Sequence, residues 1–195
     1  MANLSRKEKT QRMVLGAIFT AIVVVLQWVG SATTFFGPFS TAVALIPIVL
    51  GACLCGPFIG GWLGFVFGLV VIFSGGANLF LAFDVLGTFI TVLCKGVACG
   101  ATAGFVYMWL SRYNKIVATV LASIICPVIN TGVFLLGCYL FFMDSAEAIA
   151  RELEISVSGM TLFWTLAMGN FVVEVVSNAV LSPVLLRVIS LVKKD

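Results

Sequence analysis

Six apolar runs govern what this chain can become. They cover residues 13–30, 42–56, 57–74, 85–110, 116–142 and 159–190, and only short polar or Gly-Pro segments interrupt them. A helix needs about 20 mainly apolar residues to cross a bilayer. Inside lipid, every backbone N–H and C=O must be paired within the chain. These runs predict an all-α integral membrane protein: a bundle of six transmembrane helices forming one transmembrane domain over residues 1–195. Composition agrees, with 62% of residues hydrophobic and 10% charged, against about 45–50% and 25% in soluble domains. No stretch is left for a sizeable soluble domain.

The second and third runs meet at "CGPF" (55–58), a Gly-Pro turn signal. The other breaks fall at 30–40, 74–84, 111–115 and 143–159. The last two runs exceed the bilayer thickness, which predicts tilt or extension into the interface. Basic residues near helix ends set orientation. Arg6, Lys7, Lys9 and Arg12 precede the first run, Arg112 and Lys115 separate the fourth and fifth, and Arg187, Lys193 and Lys194 end the sixth. Six spans put these nine of the eleven basic residues on one side. That side reads as the cytoplasmic face of the cell (plasma) membrane, with both termini inside and loops 30–41, 74–84 and 143–158 outside. The first run is too long for a cleavable signal peptide and is expected to remain as a helix.

Within the fourth run, "LCKGVACGATAG" (93–104) places Lys95 in apolar sequence. An ammonium at the bilayer centre costs about 2.5–3.5 kcal/mol on insertion scales, so Lys95 needs a partner or a task. Lys95, Asn130 and Asn170 each lie roughly 16–18 Å from the outer end of their helices at 1.5 Å per residue. Asn170, Glu174 and Asn178 recur every four residues and share one helix face. Thr91 stands one turn outward of Lys95. Intramembrane polar groups face a protein interior or a cavity. Two readings stay open: a Lys95–Glu174 ion pair that only holds the bundle, or a pocket open to the outside that grips a small polar ligand. In the second, Lys95 is a point charge and the asparagines offer donors and acceptors. "SGGANLF" (74–80) is then the expected lid, with Asn78 reaching the mouth, and Phe35 and Phe36 give apolar cover.

Other chemistry is excluded. All six cysteines, Cys53, Cys55, Cys94, Cys99, Cys126 and Cys138, sit in apolar runs, and there is no histidine. They read as small packing residues, not as a disulfide framework or a metal site. No Ser-His or Cys-His pair is available, so no enzymatic activity is expected. The chain has no G-x-x-x-x-G-K-[ST] phosphate loop, so no cofactor is expected in it and any use of ATP belongs to partner subunits. No nucleic-acid partner is expected. Small residues recur every four positions at Gly60, Gly64 and Gly68, at Gly96, Gly100 and Gly104, and at Ala17 and Ala21. Such rows let helix backbones approach closely in lipid. The glycine rows read as packing within the chain. The alanine pair fits equally a dock for another subunit.

Three features together resemble a known family: the six-span layout, A-x-x-x-A at Ala17–Ala21, and "LGxxxxGPxxGxxxGxxxG" from Leu50 to Gly68. The chain resembles the substrate-binding S components of energy-coupling factor (ECF) vitamin transporters. The resemblance implies high-affinity capture of a water-soluble vitamin near the outer side, among spans four to six. It also implies docking of Ala17 and Ala21 on a transmembrane coupling subunit, two ATPase subunits as further partners, and toppling in the bilayer to release cargo inside. "CPVINTGVFLLGCYLFF" (126–142) is similar to the corresponding stretch of pantothenate-type S components. Pantothenate, with its carboxylate, amide and two hydroxyls, would suit Lys95, Asn130 and Asn170. The lack of histidine argues against nickel or cobalt cargo. The competing expectation is a self-sufficient small carrier or channel that uses Lys95 and Glu174 as a charge relay. A purely structural subunit is the third.

Overall fold

A computed structural model describes residues 6–32, 39–157 and 159–192. The expected cover residues Phe35 and Phe36, and the terminal Lys193 and Lys194, lie outside the described residues. The described chain is helical: α1 (Arg6–Ala32), α2 (Phe39–Cys55), α3 (Pro57–Phe73), α4 (Asn78–Leu81), α5 (Val85–Leu110), α6 (Lys115–Gly137), α7 (Ala146–Glu152) and α8 (Met160–Val192). A π-helical turn, Cys138–Phe142, continues α6. The six apolar runs all become helices. Four of them, α1, α5, α6 with its π turn, and α8, are long and apolar enough to cross a membrane. α2 and α3 are shorter apolar helices of 17 residues each. α1 starts before its apolar run, at Arg6, because the basic segment is helical as well. Segments read as plain connections hold α4 and α7.

Local chemistry sets the boundaries. Gly56 takes φ 98°, a left-handed conformation open to glycine, and Pro57 follows at the first helical position of α3. The side chain of Asp84 accepts the backbone N–H of Gly87 at 3.0 Å and starts α5. Asn114 accepts from Ile116 and Val117 at 2.8 and 3.2 Å and starts α6. Both satisfy N–H groups that a helix start leaves unpaired. Pro183, inside α8, cannot donate to the Ala179 carbonyl. The Ser182 hydroxyl donates to that oxygen instead, at 2.7 Å, which is how a membrane helix tolerates proline.

Packing centres on α3 and α5, which pair most extensively; α5 in turn packs on α6, α6 on α8, and α8 on α2. The α3–α5 contact is backbone on backbone. A methyl group at Gly64 would overlap the Gly96 carbonyl, and one at Gly96 the Gly64 carbonyl. Gly60 and Gly100 oppose each other in the same reciprocal way. A methyl at Gly68 would come within 2.9 Å of the Val92 oxygen, and one at Gly104 within 2.6 Å of Pro57 Cα. The two helices therefore run antiparallel with one fixed register. Both glycine rows are used inside the chain, as expected. The main core then builds around Leu45, Ile48, Leu63 and Phe67, while a second cluster near α4 and α7 gathers Phe142, Ile149, Leu162 and Phe163.

This seam sets the first prediction. Gly64→Ala and Gly96→Ala each force two backbones apart and lower unfolding stability by about 1–3 kcal/mol. Gly169→Ala, where a methyl meets nothing within 4 Å, stays within about 1 kcal/mol of the wild type and moves toward greater stability. Thermal unfolding in detergent checks this. Equal stability for Gly64→Ala and Gly169→Ala would remove the seam from the account.

Candidate substrate-binding site

The fixed register of α3 and α5 decides where Lys95 goes. Gly96 faces α3, so its neighbour Lys95 turns toward α6. Its Nζ lies 5.3 Å from the centre of the Phe134 ring on α6 and 6.0 Å from that of Phe67 on α3. Two cation–π contacts contribute about 0.5–2 kcal/mol each. Together they give about 1–4 kcal/mol, comparable to the cost of an ammonium in lipid, and a carboxylate nearby adds to them. Glu174 on α8 supplies it: the residue is 2% exposed and interacts electrostatically with Lys95.

Glu174 is also the hub of the amides. Asn130 on α6 is 4% exposed and donates through Nδ2 to Glu174 Oε2 at 3.3 Å. Asn178, fully buried, donates through Nδ2 to the Glu174 backbone oxygen at 2.8 Å. Along α6, Asn130 lies four residues, about 6 Å, from Phe134 and so from the level of Lys95. Along α8, Asn170 lies the same distance from Glu174, on the side toward α4 and α7. The helices thus assemble two tiers, with Lys95 and Asn170 above, nearer α4 and α7, and Asn130 with Glu174 below.

Thr91, 4% exposed, presses its side chain onto Gly137 of α6, where a methyl group would overlap it. Its hydroxyl has no hydrogen-bond partner, and neither do the carbonyl oxygens of Asn130, Asn170 and Asn178. An unpaired buried polar group costs about 1–3 kcal/mol. Asn170 and Asn130 carry two of these oxygens, in the upper and the lower tier, and Thr91 and Asn178 lie a turn beyond them; each such group calls for an explanation, a polar ligand being one. Asn78 stands apart: it is exposed at the start of α4, and its amide folds back over Gly75. Phe80 of α4 packs into the bundle instead. Its ring packs edge-on against Phe134 at 5.5 Å and Phe142 at 5.1 Å, and tilted against Phe163 at 6.5 Å. Phe134 therefore touches both α4 and the ammonium.

Phe67, Phe134 and Phe80 were not foreseen. Phe134 follows Asn130 by one turn, so its facing was readable from spacing; Phe67 and Phe80 depend on how separate helices meet. A second polar cluster was also missed. Gln27 donates to Ser31 Oγ at 3.3 Å, and Ser31 and Ser74 hydroxyls lie 2.6 Å apart, clipping α1 to the end of α3. The i, i+4 spacing of Gln27 and Ser31 was its signal. A cleft of about 230 Å³ lies elsewhere, between α7 and residues 155–157. Its Arg151–Glu147 pair, 3.6 Å apart and largely exposed, contributes little. Among the described residues, no group of three or more Cys, Asp or Glu is arranged to hold a metal, and none of the six cysteines is in a disulfide.

Comparison with curated proteins and with solved structures gives no significant match. The sequence model of one family, "ECF transporter, substrate-specific component", matches residues 11–189. That match covers α1 to α8 and includes every residue of the polar layer. Members of this family are transporter subunits, not enzymes, and work with a transmembrane coupling subunit and ATPases in a membrane. The chain belongs to the substrate-specific components of ECF transporters and is a multi-pass protein of the plasma membrane.

Proposed function

We propose that this subunit captures a water-soluble vitamin, pantothenate first among them, and hands it inward with an ATP-driven partner. The observation that supports the reading is the polar layer: Lys95, Glu174 and Asn130 associated across three helices, with Asn170 one turn along α8 and the amide oxygens of Asn130 and Asn170 left unpaired. Pantothenate offers a carboxylate for Lys95 and hydroxyls and an amide for the asparagines, which supports it over a purely apolar cargo. Thr91 lines the same layer. In this reading the protein is one domain of six spans. The 17-residue α2 and α3 fall at the short end of the lengths that cross a bilayer. Both termini are cytoplasmic, following the distribution of Lys and Arg, so the α4/α7 end with Phe80 faces outward. The chain carries no cofactor; ATP is used by two partner ATPase subunits.

Ala17 and Ala21 dock the coupling subunit. Both are exposed on α1, amid Met13, Val14, Ile18 and Ile22, while α1 packs on α2 and α3. Two small residues one turn apart leave a shallow groove for another helix. The polar layer, on α5, α6 and α8, is on other helices, so docking and binding are separable.

Labelled pantothenate is expected to bind the purified subunit at nanomolar to low micromolar concentration, without sustained uptake into liposomes until coupling subunits are added. No binding at micromolar ligand removes pantothenate. Ala17→Trp and Ala21→Trp are expected to abolish reconstituted transport and leave binding within about twofold of the wild type; loss of binding in both would end the docking role. Lys95→Met or Glu174→Leu alone strands a charge and costs about 3–5 kcal/mol, whereas the double replacement recovers most of that stability but no binding. Melting curves and binding isotherms of the three variants check this. A double variant as unstable as the sum of the two singles would mean that they do not act as a pair.

A further inference from the structure

Among the described residues, the buried side-chain polar atoms without a hydrogen-bond partner are five oxygens: Gln27 Oε1, Thr91 Oγ1, and Oδ1 of Asn130, Asn170 and Asn178. No amide nitrogen is among them. The cause is visible at Asn130. The two ends of a carboxamide are told apart by their partners, and a carboxylate oxygen only accepts. Asn130 must therefore turn its nitrogen to Glu174 Oε2, 3.3 Å away, and its carbonyl oxygen the other way. Asn178 is locked in the same sense by donating to the Glu174 backbone oxygen. Glu174 thus consumes amide donors from two helices and leaves acceptors open. Asn170, one turn from Glu174 toward α4 and α7, adds a further open acceptor at the level of Lys95. Lys95 is then the donor of the upper tier, and it sits against the electron-rich faces of Phe134 and Phe67.

Building on the substrate-binding reading above, we propose that Asn130 and Asn170 form an acceptor floor that takes neutral hydroxyl or amide N–H groups of the substrate, with Lys95 receiving its anionic end. The substrate is a molecule with hydrogen-bond donors at one end and negative charge or electron-rich atoms at the other. Acceptor-only ligands are turned away. The selectivity has a direct physical source. A ligand without the donors leaves these buried carbonyl oxygens unpaired, whereas a donor-bearing one pairs them, and sites built to pair a substrate OH or NH discriminate strongly against analogues that lack it. Glu174 acts here as a positioning residue: it decides which end of the Asn130 amide meets the ligand.

The test uses the full-length protein in nanodiscs and calorimetric binding of matched probes. These are pantothenate against its hydroxyl-free analogue N-(3,3-dimethylbutanoyl)-β-alanine, riboflavin against lumiflavin, and lipoate as a carboxylate with no neutral donor. The wild type is expected to bind at least one donor-bearing member, and to prefer it to its stripped counterpart by about tenfold or more. In Asn130→Leu, and again in Asn170→Leu, that preference falls, and in the double variant it falls to within about threefold, because the two leucines leave no acceptor to satisfy. Asn130→Asp, which keeps the shape and replaces the amide donor by a second carboxylate oxygen, breaks the contact to Glu174 and changes the preference too, and this variant carries the test if a leucine variant does not fold. Equal binding of the stripped probe by the wild type, lipoate as the tightest ligand, or an unchanged preference in all variants that fold would overturn the acceptor floor while vitamin binding stood. Binding of none of the probes would overturn both readings.

Discussion

The contact on which the structure depends is the backbone crossing of α3 and α5. Gly60 meets Gly100, and Gly64 meets Gly96, with no side chain between. In lipid, apolar side chains gain nothing by leaving one hydrocarbon for another, so close packing must supply the association. Glycine permits the approach and also fixes it, because a slip of one residue would put a side chain where a carbonyl oxygen now sits. Every position on α5 is then set against α3. Gly96 faces the seam, Lys95 faces α6, and Thr91, one turn before it, lands on Gly137. The register that holds the bundle is thus the register that aims the ammonium.

The polar layer follows a different logic. Its groups are costly in a membrane, and each is made tolerable by another. Lys95 is held by two aromatic faces and the field of Glu174. Glu174 is held in turn by the Asn130 amide. The chain of compensation stops at the amide oxygens, which have no partner in the protein. A structural ion pair built for stability alone is better served by closing that chain, since half-satisfied buried networks lose to apolar packing. The unfinished edge is what the proposed ligand would complete. The same incompleteness makes the site responsive, because the filled and empty states differ in paired polar groups rather than in apolar area alone.

Much of the fold was legible in the sequence. The apolar runs gave the helices, the Gly-Pro pair at 56–57 gave the α2–α3 turn, and the four-residue glycine spacing identified the close helix faces, though not that those faces meet each other. What failed was local detail in the connections. α4 and α7 are too short for periodicity to reveal, and α1 begins in basic sequence that hydropathy does not read as helix. In the site, Lys95, Asn130, Asn170 and Glu174 were readable because a polar residue in an apolar run is conspicuous and helical depth is simple arithmetic. Their apolar neighbours were not readable. One phenylalanine among seventeen carries no mark that it borders a charge, and Phe67 and Phe80 reach the site only through the way separate helices meet. Asn78, polar beside a glycine pair, reads from sequence as part of the site; its amide lies over Gly75 at the exposed start of α4.

The helices divide the two tasks of a transporter subunit. α1 offers an exposed small-residue face and packs on α2 and α3, while the amides and the ammonium lie on α5, α6 and α8. Between them stands the α3–α5 seam, the stiffest contact in the bundle. α3 touches α1 on one side and, through Phe67, the Lys95 ammonium on the other. Backbone-to-backbone contacts deform little, since neither surface has a rotamer to change. α1 and the polar layer therefore meet the same seam from opposite sides.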